Sequence, residues 1–177
     1  ETGICLAGEL KEQGYDLLAV GEMGIGNTTT SSAVASVLLG VEPSLLTGRG
    51  AGLSDEGLAR KRKVIEEAVC LHRPDPRDPV DVLSKVGGLD LAGLAGVFLG
   101  GAIHHMPVVL DGVITAAAAL AACGLCSSVA GYLIASHVSA EPAGRLILER
   151  LGLRAAVDGG LRLGEGTGAM AFMPMLA

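Results

Sequence analysis

From Val113 to Ala135 the chain runs for 23 residues without a charged side chain, and such a run either crosses a bilayer or is buried from every side within a fold. Its composition favours burial. It is rich in alanine, it is interrupted by glycine and by Ser127 and Ser128, and no Lys/Arg or Trp/Tyr belt flanks it. The Gly124 region reads as a break between a buried helix, Ile114 to Ala122, and a buried strand, Ser128 to Ala135. No membrane span is expected.

A wholly buried helix needs a fold large enough to surround it. The 177 residues, 50% hydrophobic and 18% charged, supply one such core and exclude disorder. Aromatic residues make up only 2%, with no Trp, so the core is built from small side chains. A net charge of −6 and so few aromatics exclude a nucleic-acid stacking platform, which needs a basic surface and exposed rings. Four scattered cysteines are not the framework of a small secreted domain, and a reducing cytoplasm is expected. The chain opens on Glu1-Thr2-Gly3 and enters a helix at once, as a fragment cut within a domain would. No basic start, apolar core and small-residue cleavage site mark a signal peptide.

Short apolar runs alternate with longer helical patterns, which predicts an α/β fold with a parallel sheet. Helix Ile4 to Gln13 stops at Gly14, and Leu17 to Val20 follows as a buried strand. After the loop Gly21 to Asn27 comes helix Thr28 to Leu39, ended by Gly40. The Gly-rich loop Gly48 to Leu53 leads to Ser54, a predicted cap for a charged helix from Asp55 to about Leu71. Arg60 to Lys63 wrap around that helix and cannot share one face. Pro74, Pro76 and Pro79 impose a rigid turn before a short helix to Lys85. A mostly apolar helix then runs from Asp90 to about Ala102. Pro107 to Leu110 reads as a buried strand ending at Asp111-Gly112. Ala140 or Glu141 begins a helix with Pro142 in its first turn and Gly152 at its end. A Gly-rich turn, Gly159 to Gly168, precedes a last apolar segment to Ala177.

Three segments carry chemistry. The first, Gly21-Glu22-Met23-Gly24-Ile25-Gly26-Asn27-Thr28-Thr29-Thr30, lies between a strand and a helix, where glycines let backbone amides approach an oxyanion. It is neither a P-loop nor a GxGxxG dinucleotide loop. The alternative is a tight turn with Asn27 or Thr28 capping the helix. Glu22 stands at a strand's carboxyl end, where α/β sheets place ligand-facing residues, or is a solvated loop acid. The second segment, Arg162 to Gly168, sets Glu165 between glycines, where it is a candidate general base or an exposed turn residue. The third, Ser136-His137-Val138-Ser139-Ala140, is a further anion-site candidate at a strand's end.

Lys61 follows a Gly-rich loop and a capped helix start. It is either a solvated helix residue or a mobile cation for a phosphate. His137 has no GxSxG elbow to make a hydrolase triad. Cys123 and Cys126 have redox spacing but lie in the alanine-rich stretch, where two packed cysteines are the favoured reading. His72, His104 and His105 show no zinc spacing, so no metal site is expected.

Taken together and in order, GEMGIGNTTTSSA, GRGAGL with DEGLARK, RPDPRDPVDVLSKVGG, PVVLDG, SHVSAEP and RLGEGTGA resemble the nicotinate-nucleotide–dimethylbenzimidazole phosphoribosyltransferase family of cobalamin lower-ligand synthesis. The resemblance covers essentially the whole chain and corresponds to roughly the C-terminal half of a family member. It implies a Rossmann-like parallel sheet flanked by helices, as a fragment of a larger two-domain enzyme, and leaves open whether the C-terminal residues belong to the large domain or to a small helical domain. It also implies a cytoplasmic homodimer that moves the 5-phosphoribosyl group from nicotinate mononucleotide to a benzimidazole base, without cofactor or metal. By motif, Glu165 matches the family's general base and Glu22 its second active-site carboxylate. Gly24, Lys61, Ser139 and Ala140 fall where the family holds the nucleotide's phosphate. Because the family's N-terminal portion is absent, the alternative is a catalytically weak nucleotide- or phosphate-binding module of the same fold.

Overall fold

The computed structural model describes residues 1–50 and 52–176. Ala51, inside the Gly48–Leu53 loop, and Ala177, at the end of the last apolar segment, lie outside the described residues. Three short strands, β1 (Leu18–Ala19), β2 (Val108–Leu110) and β3 (Leu133–Ala135), form a parallel sheet in the order β1-β2-β3. Leu18 lies opposite Val108, and Val108 to Leu110 run in register with Leu133 to Ala135. Because side chains alternate across a strand, the two faces of the sheet feed two cores. Val108, Leu110, Leu133 and Ala135 enter the main one, while Val109 meets Leu17, Ile134, Ala169 and Phe172 on the other face.

Around the sheet run helices α1 (Thr2–Glu12), α2 (Asn27–Leu39), α3 (Pro43–Leu46), α4 (Asp55–His72), α5 (Pro79–Val86), α6 (Leu89–Ile103), α7 (Val113–Leu125), α8 (Ala143–Leu151) and α9 (Thr167–Phe172). Helix α7 is central and packs against α2, α5, α6 and α8. Every residue from Val113 to Ala122 is buried, which accounts for the first part of the uncharged run, whereas Gly124 to Ser128 are exposed. No helix among the described residues is long and apolar enough to cross a membrane. Small side chains let these helices approach closely. In α2, the hydroxyls of Ser31, Ser32 and Ser36 donate to the carbonyls of Asn27, Thr28 and Ala33, so polar side chains are buried with their protons satisfied. Helices α1 and α6 meet backbone to backbone, and a Cβ on Gly3 would stand 2.2 Å from the Gly93 carbonyl oxygen.

Three expectations are corrected. The strand foreseen from Ser128 is a 3-10 helix over Ser127–Tyr132, and only Leu133–Ala135 is extended. Short polar groups compete with the strand here: Cys126 Sγ meets Ser128 Oγ at 3.0 Å, and the Val129 amide donates to the Cys126 carbonyl. The chain thereby leaves α7 with Cys123 half-buried and Cys126 exposed, so Cys126 is not packed into the core. The helix foreseen from Ala140 or Glu141 starts at Ala143, with Pro142 at its N-cap. Ser139 Oγ accepts the Glu141 amide, and the Glu141 carbonyl accepts the Gly144 amide, forming a turn before the helix begins.

Candidate functional site

The carboxyl ends of β1, β2 and β3 open into the Glu22, Asp111 and His137 segments, and these line one cleft. Thr28, Gly50, Ser139 and the stretch Arg162 to Gly164 complete its wall, around a space of about 620 Å³ open to solvent. Open parallel sheets bind ligands at this end.

Helix α2 begins at Asn27 behind Gly26, which takes a left-handed conformation (φ 80°), and no side chain caps it. The capping role foreseen for Asn27 or Thr28 is therefore not filled: Asn27 Nδ2 donates instead to Asp90 Oδ2 at 2.9 Å. Gly24, at φ 76°, turns its amide back onto Glu22 Oε2 at 2.5 Å. Glu22 is half-buried in the cleft wall.

Lys61 is buried, not swinging free. Its Nζ donates to Thr28 Oγ1 at 2.9 Å and to the Gly48 carbonyl at 3.1 Å, which places a positive charge behind the cleft. An ammonium has three protons, and these two bonds leave one over among the described residues. Burial lowers the Lys61 pKa below the ordinary lysine value, and the Glu141 carboxylate opposes that shift. Glu141 also accepts the Gly50 amide at 3.2 Å, tying the Gly-rich loop to the turn before α8.

Ser139 is buried and lines the cleft. Ala140 is exposed, and its amide donates to the Leu161 carbonyl at 2.9 Å. Glu165 is exposed beside Gly164 with φ 58°, a left-handed conformation unusual for a glutamate. Its amide donates to the Glu22 carbonyl at 2.6 Å, so the two glutamate loops touch through their backbones.

Two acids in this region went unassigned at the level of sequence. Glu141 carries no local mark beyond its place after Ser139-Ala140. Asp111 does have one, since it follows a strand just as Glu22 follows another, although only the strand before Asp111 is buried throughout. Its carboxylate is buried and accepts the amides of Gly166 (3.1 Å), Gly168 (2.8 Å) and Ala169 (3.1 Å). Beside it, Ser136 Oγ gives its proton to the Leu110 carbonyl at 2.6 Å, so the 2.9 Å contact with His137 requires Nδ1–H to donate. Burial lowers the His137 pKa, partly offset by the Asp111 charge.

Against known proteins, the family described as Phosphoribosyltransferase matches residues 1–177. The chain belongs to this family. A phosphoribosyltransferase relative from Roseiflexus sp. (strain RS-1), named nicotinate-nucleotide–dimethylbenzimidazole phosphoribosyltransferase, is 53% identical over 175 residues, covering 99% of this chain and 50% of its own. One of the same name from Geobacter sulfurreducens is 49% identical over 176 residues, again 99% and 50%. The crystal structure of CobT from Thermus thermophilus superposes with a TM-score of 0.93 at 43% identity, over 98% of this chain and 52% of that one. This phosphoribosyltransferase chain thus spans about half the length of the curated relatives it matches.

Proposed function

We propose that the protein transfers the 5-phosphoribosyl group of nicotinate mononucleotide to 5,6-dimethylbenzimidazole, giving α-ribazole 5′-phosphate and nicotinate. The observation that carries this reading is the backbone bond between Glu165 and Glu22 beside a cleft walled by Thr28, Gly50 and Ser139, in a phosphoribosyltransferase family member.

Nicotinate leaves from a positively charged pyridinium, so its nitrogen needs no proton. The demand falls on the attacking azole, which must lose its N–H proton as its other nitrogen bonds to C1′. Glu165 is the general base for that proton, and its exposure leaves it open to an incoming base. Positive charge develops on the ribose as the bond to nicotinate breaks, and the Glu22 carboxylate stabilises it. Lys61, held at Thr28 and Gly48, together with Gly24, Ser139 and Ala140, forms the phosphate end, which fixes C1′ and contributes binding energy to the transition state. The Ala140 and Gly24 amides already have partners, so their part is shape and close approach, while Lys61 brings the charge.

The reading includes a cytoplasmic location, in keeping with four unpaired cysteines among the described residues, and a homodimer. The test is nicotinate release from nicotinate mononucleotide and dimethylbenzimidazole. Release with α-ribazole 5′-phosphate formed supports the transferase. Nucleotide binding without release assigns the chain to a binding module instead. Sedimentation of the purified protein checks the dimer.

A further inference from the structure

We infer that Asp111 is a positioning residue: its carboxylate holds the turn that carries Glu165 and so aims the general base. This rests on the transferase reading above for its catalytic half, while its structural half stands on geometry alone.

Helix α9 has only six residues, and nothing in its own sequence caps it: Gly166 is at its N-cap and Thr167, Gly168 and Ala169 form its first turn. The amides at such an end have no acceptor within the helix. The Thr167 amide finds the Gly164 carbonyl at 2.9 Å. Those of Gly166, Gly168 and Ala169 all go to Asp111, on a different element more than fifty residues earlier in the chain, at 3.1, 2.8 and 3.1 Å. Asp111 is itself fixed, since its amide donates to Thr115 Oγ1 at 3.0 Å and it directly follows β2. The chain from Gly164 to Ala169 is thus pinned on both sides of Glu165: by Asp111 after it, and by the Glu22 carbonyl at its own amide.

The residue types fit this task. Three N–H donors converge on two oxygens that only accept, which is the chemistry of a carboxylate. An asparagine offers one acceptor oxygen and would turn its own N–H groups toward the amides at the other. Gly168 is also required by the packing, because a Cβ there would lie 2.1 Å from His137 Nδ1 and 2.9 Å from Asp111 Oδ1. A base held at φ 58° needs such an external hold, since that conformation is not one a glutamate keeps by itself.

The test uses amide hydrogen exchange and steady-state kinetics on the wild-type protein and on Asp111→Asn. In the wild type, the amides of Gly166, Gly168 and Ala169 exchange slowly, and fast exchange there overturns the inference without any variant. In Asp111→Asn those amides and that of Glu165 exchange roughly 10-fold faster or more, while those in the middle of α7 are unchanged. In the transfer reaction the variant lowers kcat about 10-fold or more and leaves the KM for nicotinate mononucleotide within about 2-fold. Added to Glu165→Gln it lowers kcat no further, because a base that is gone has no position to lose. Unchanged exchange, an unchanged kcat, or a multiplicative loss in the double variant each overturns the inference. A wild-type protein that releases no nicotinate overturns the functional reading instead, and the exchange result alone then decides whether Asp111 holds the Glu165 turn.

Discussion

The amide of Glu165 donates to the carbonyl of Glu22 at 2.6 Å, joining two acidic residues that lie at opposite ends of the chain. What permits that approach is Gly21. A Cβ on it would stand 2.3 Å from the Gly166 nitrogen and 2.6 Å from its Cα. The neighbouring atoms are backbone and have no rotamer to yield. Gly21→Ala is therefore expected to separate the two loops, lowering the thermal midpoint by an amount equivalent to about 1–3 kcal/mol and kcat about 10-fold or more. Unaltered kcat and melting together would show that the loops do not need this contact.

Replacing each glutamate by its amide separates charge from shape. Glu165→Gln keeps the backbone bond to Glu22 and removes the proton acceptor, so kcat is expected to fall roughly 10²-fold or more. Glu22→Gln keeps an oxygen for the Gly24 amide and loses the charge proposed to stabilise the ribose. Its kcat should fall as well, with a KM for nicotinate mononucleotide close to that of the parent. A Glu22→Gln enzyme with full kcat would remove that residue from the mechanism, and near-normal turnover in Glu165→Gln would refute the base assignment.

Lys61 tests the phosphate end. Lys61→Met keeps the buried stem and removes the ammonium that donates to Thr28 and Gly48. With one charge-assisted bond to a phosphate lost, the KM for nicotinate mononucleotide should rise roughly 10- to 100-fold, the scale of about 1.5–3 kcal/mol. Lys61→Arg should not restore it, since a planar fork does not fit the pocket made for a compact ammonium. A KM unchanged in Lys61→Met would place the phosphate elsewhere.

How much of this was legible in the chain depended on range. Local signals carried far: Ser54 accepts the Gly57 amide at the start of α4, Gly40 and Gly152 end their helices in left-handed conformations, and the three strands fall within the apolar runs expected of them. The uncharged run read correctly as burial from Val113 to Ala122, but Gly124 to Ser128 are exposed and the strand foreseen from Ser128 begins only at Leu133. Periodicity cannot separate a buried strand from a 3-10 turn when serine hydroxyls and a thiol decide between them. Within the site, the resemblance selected Glu22, Lys61 and Glu165 by motif. Nothing local revealed that Lys61 is tied to Thr28, or that Glu141 reaches Gly50 across 91 positions. Asp111 escaped for the same reason. Its partners are backbone amides more than fifty residues away, and amides leave no mark in a list of side chains.

The cysteines should separate by reactivity. Burial, with Cys126 adding to it, pushes the Cys123 thiol up to about 11, so almost none is thiolate near neutral pH. Cys126 is exposed, and its hydrogen bond with Ser128 lowers its pKa below the ordinary value. Iodoacetamide is expected to modify Cys126 well before Cys123 in the folded protein, as read by peptide mass mapping. Equal rates would mean that the end of α7 opens readily.

His137 gives the fold a pH dependence whose sign follows from its burial. Its pKa in the folded state is lowered from the ordinary 6.5, chiefly by burial and against the attraction of Asp111. The unfolded chain therefore binds a proton more readily than the folded one. The stability contributed by the neutral ring is complete above about pH 6.5 and is lost as the pH falls through the folded value. Neutrality also suits the structure, because Nδ1–H already donates to Ser136, whose own proton is committed to Leu110. Urea midpoints should thus decline from about pH 7.5 to about pH 5.5, with a slope from this one group no steeper than about 1.4 kcal/mol per pH unit. His137→Gln should lose that part of the decline while being less stable at the higher pH, since an amide replaces the ring packed against Gly168. If wild type and variant decline in parallel, the titrating group lies elsewhere and His137 is not held neutral by its surroundings.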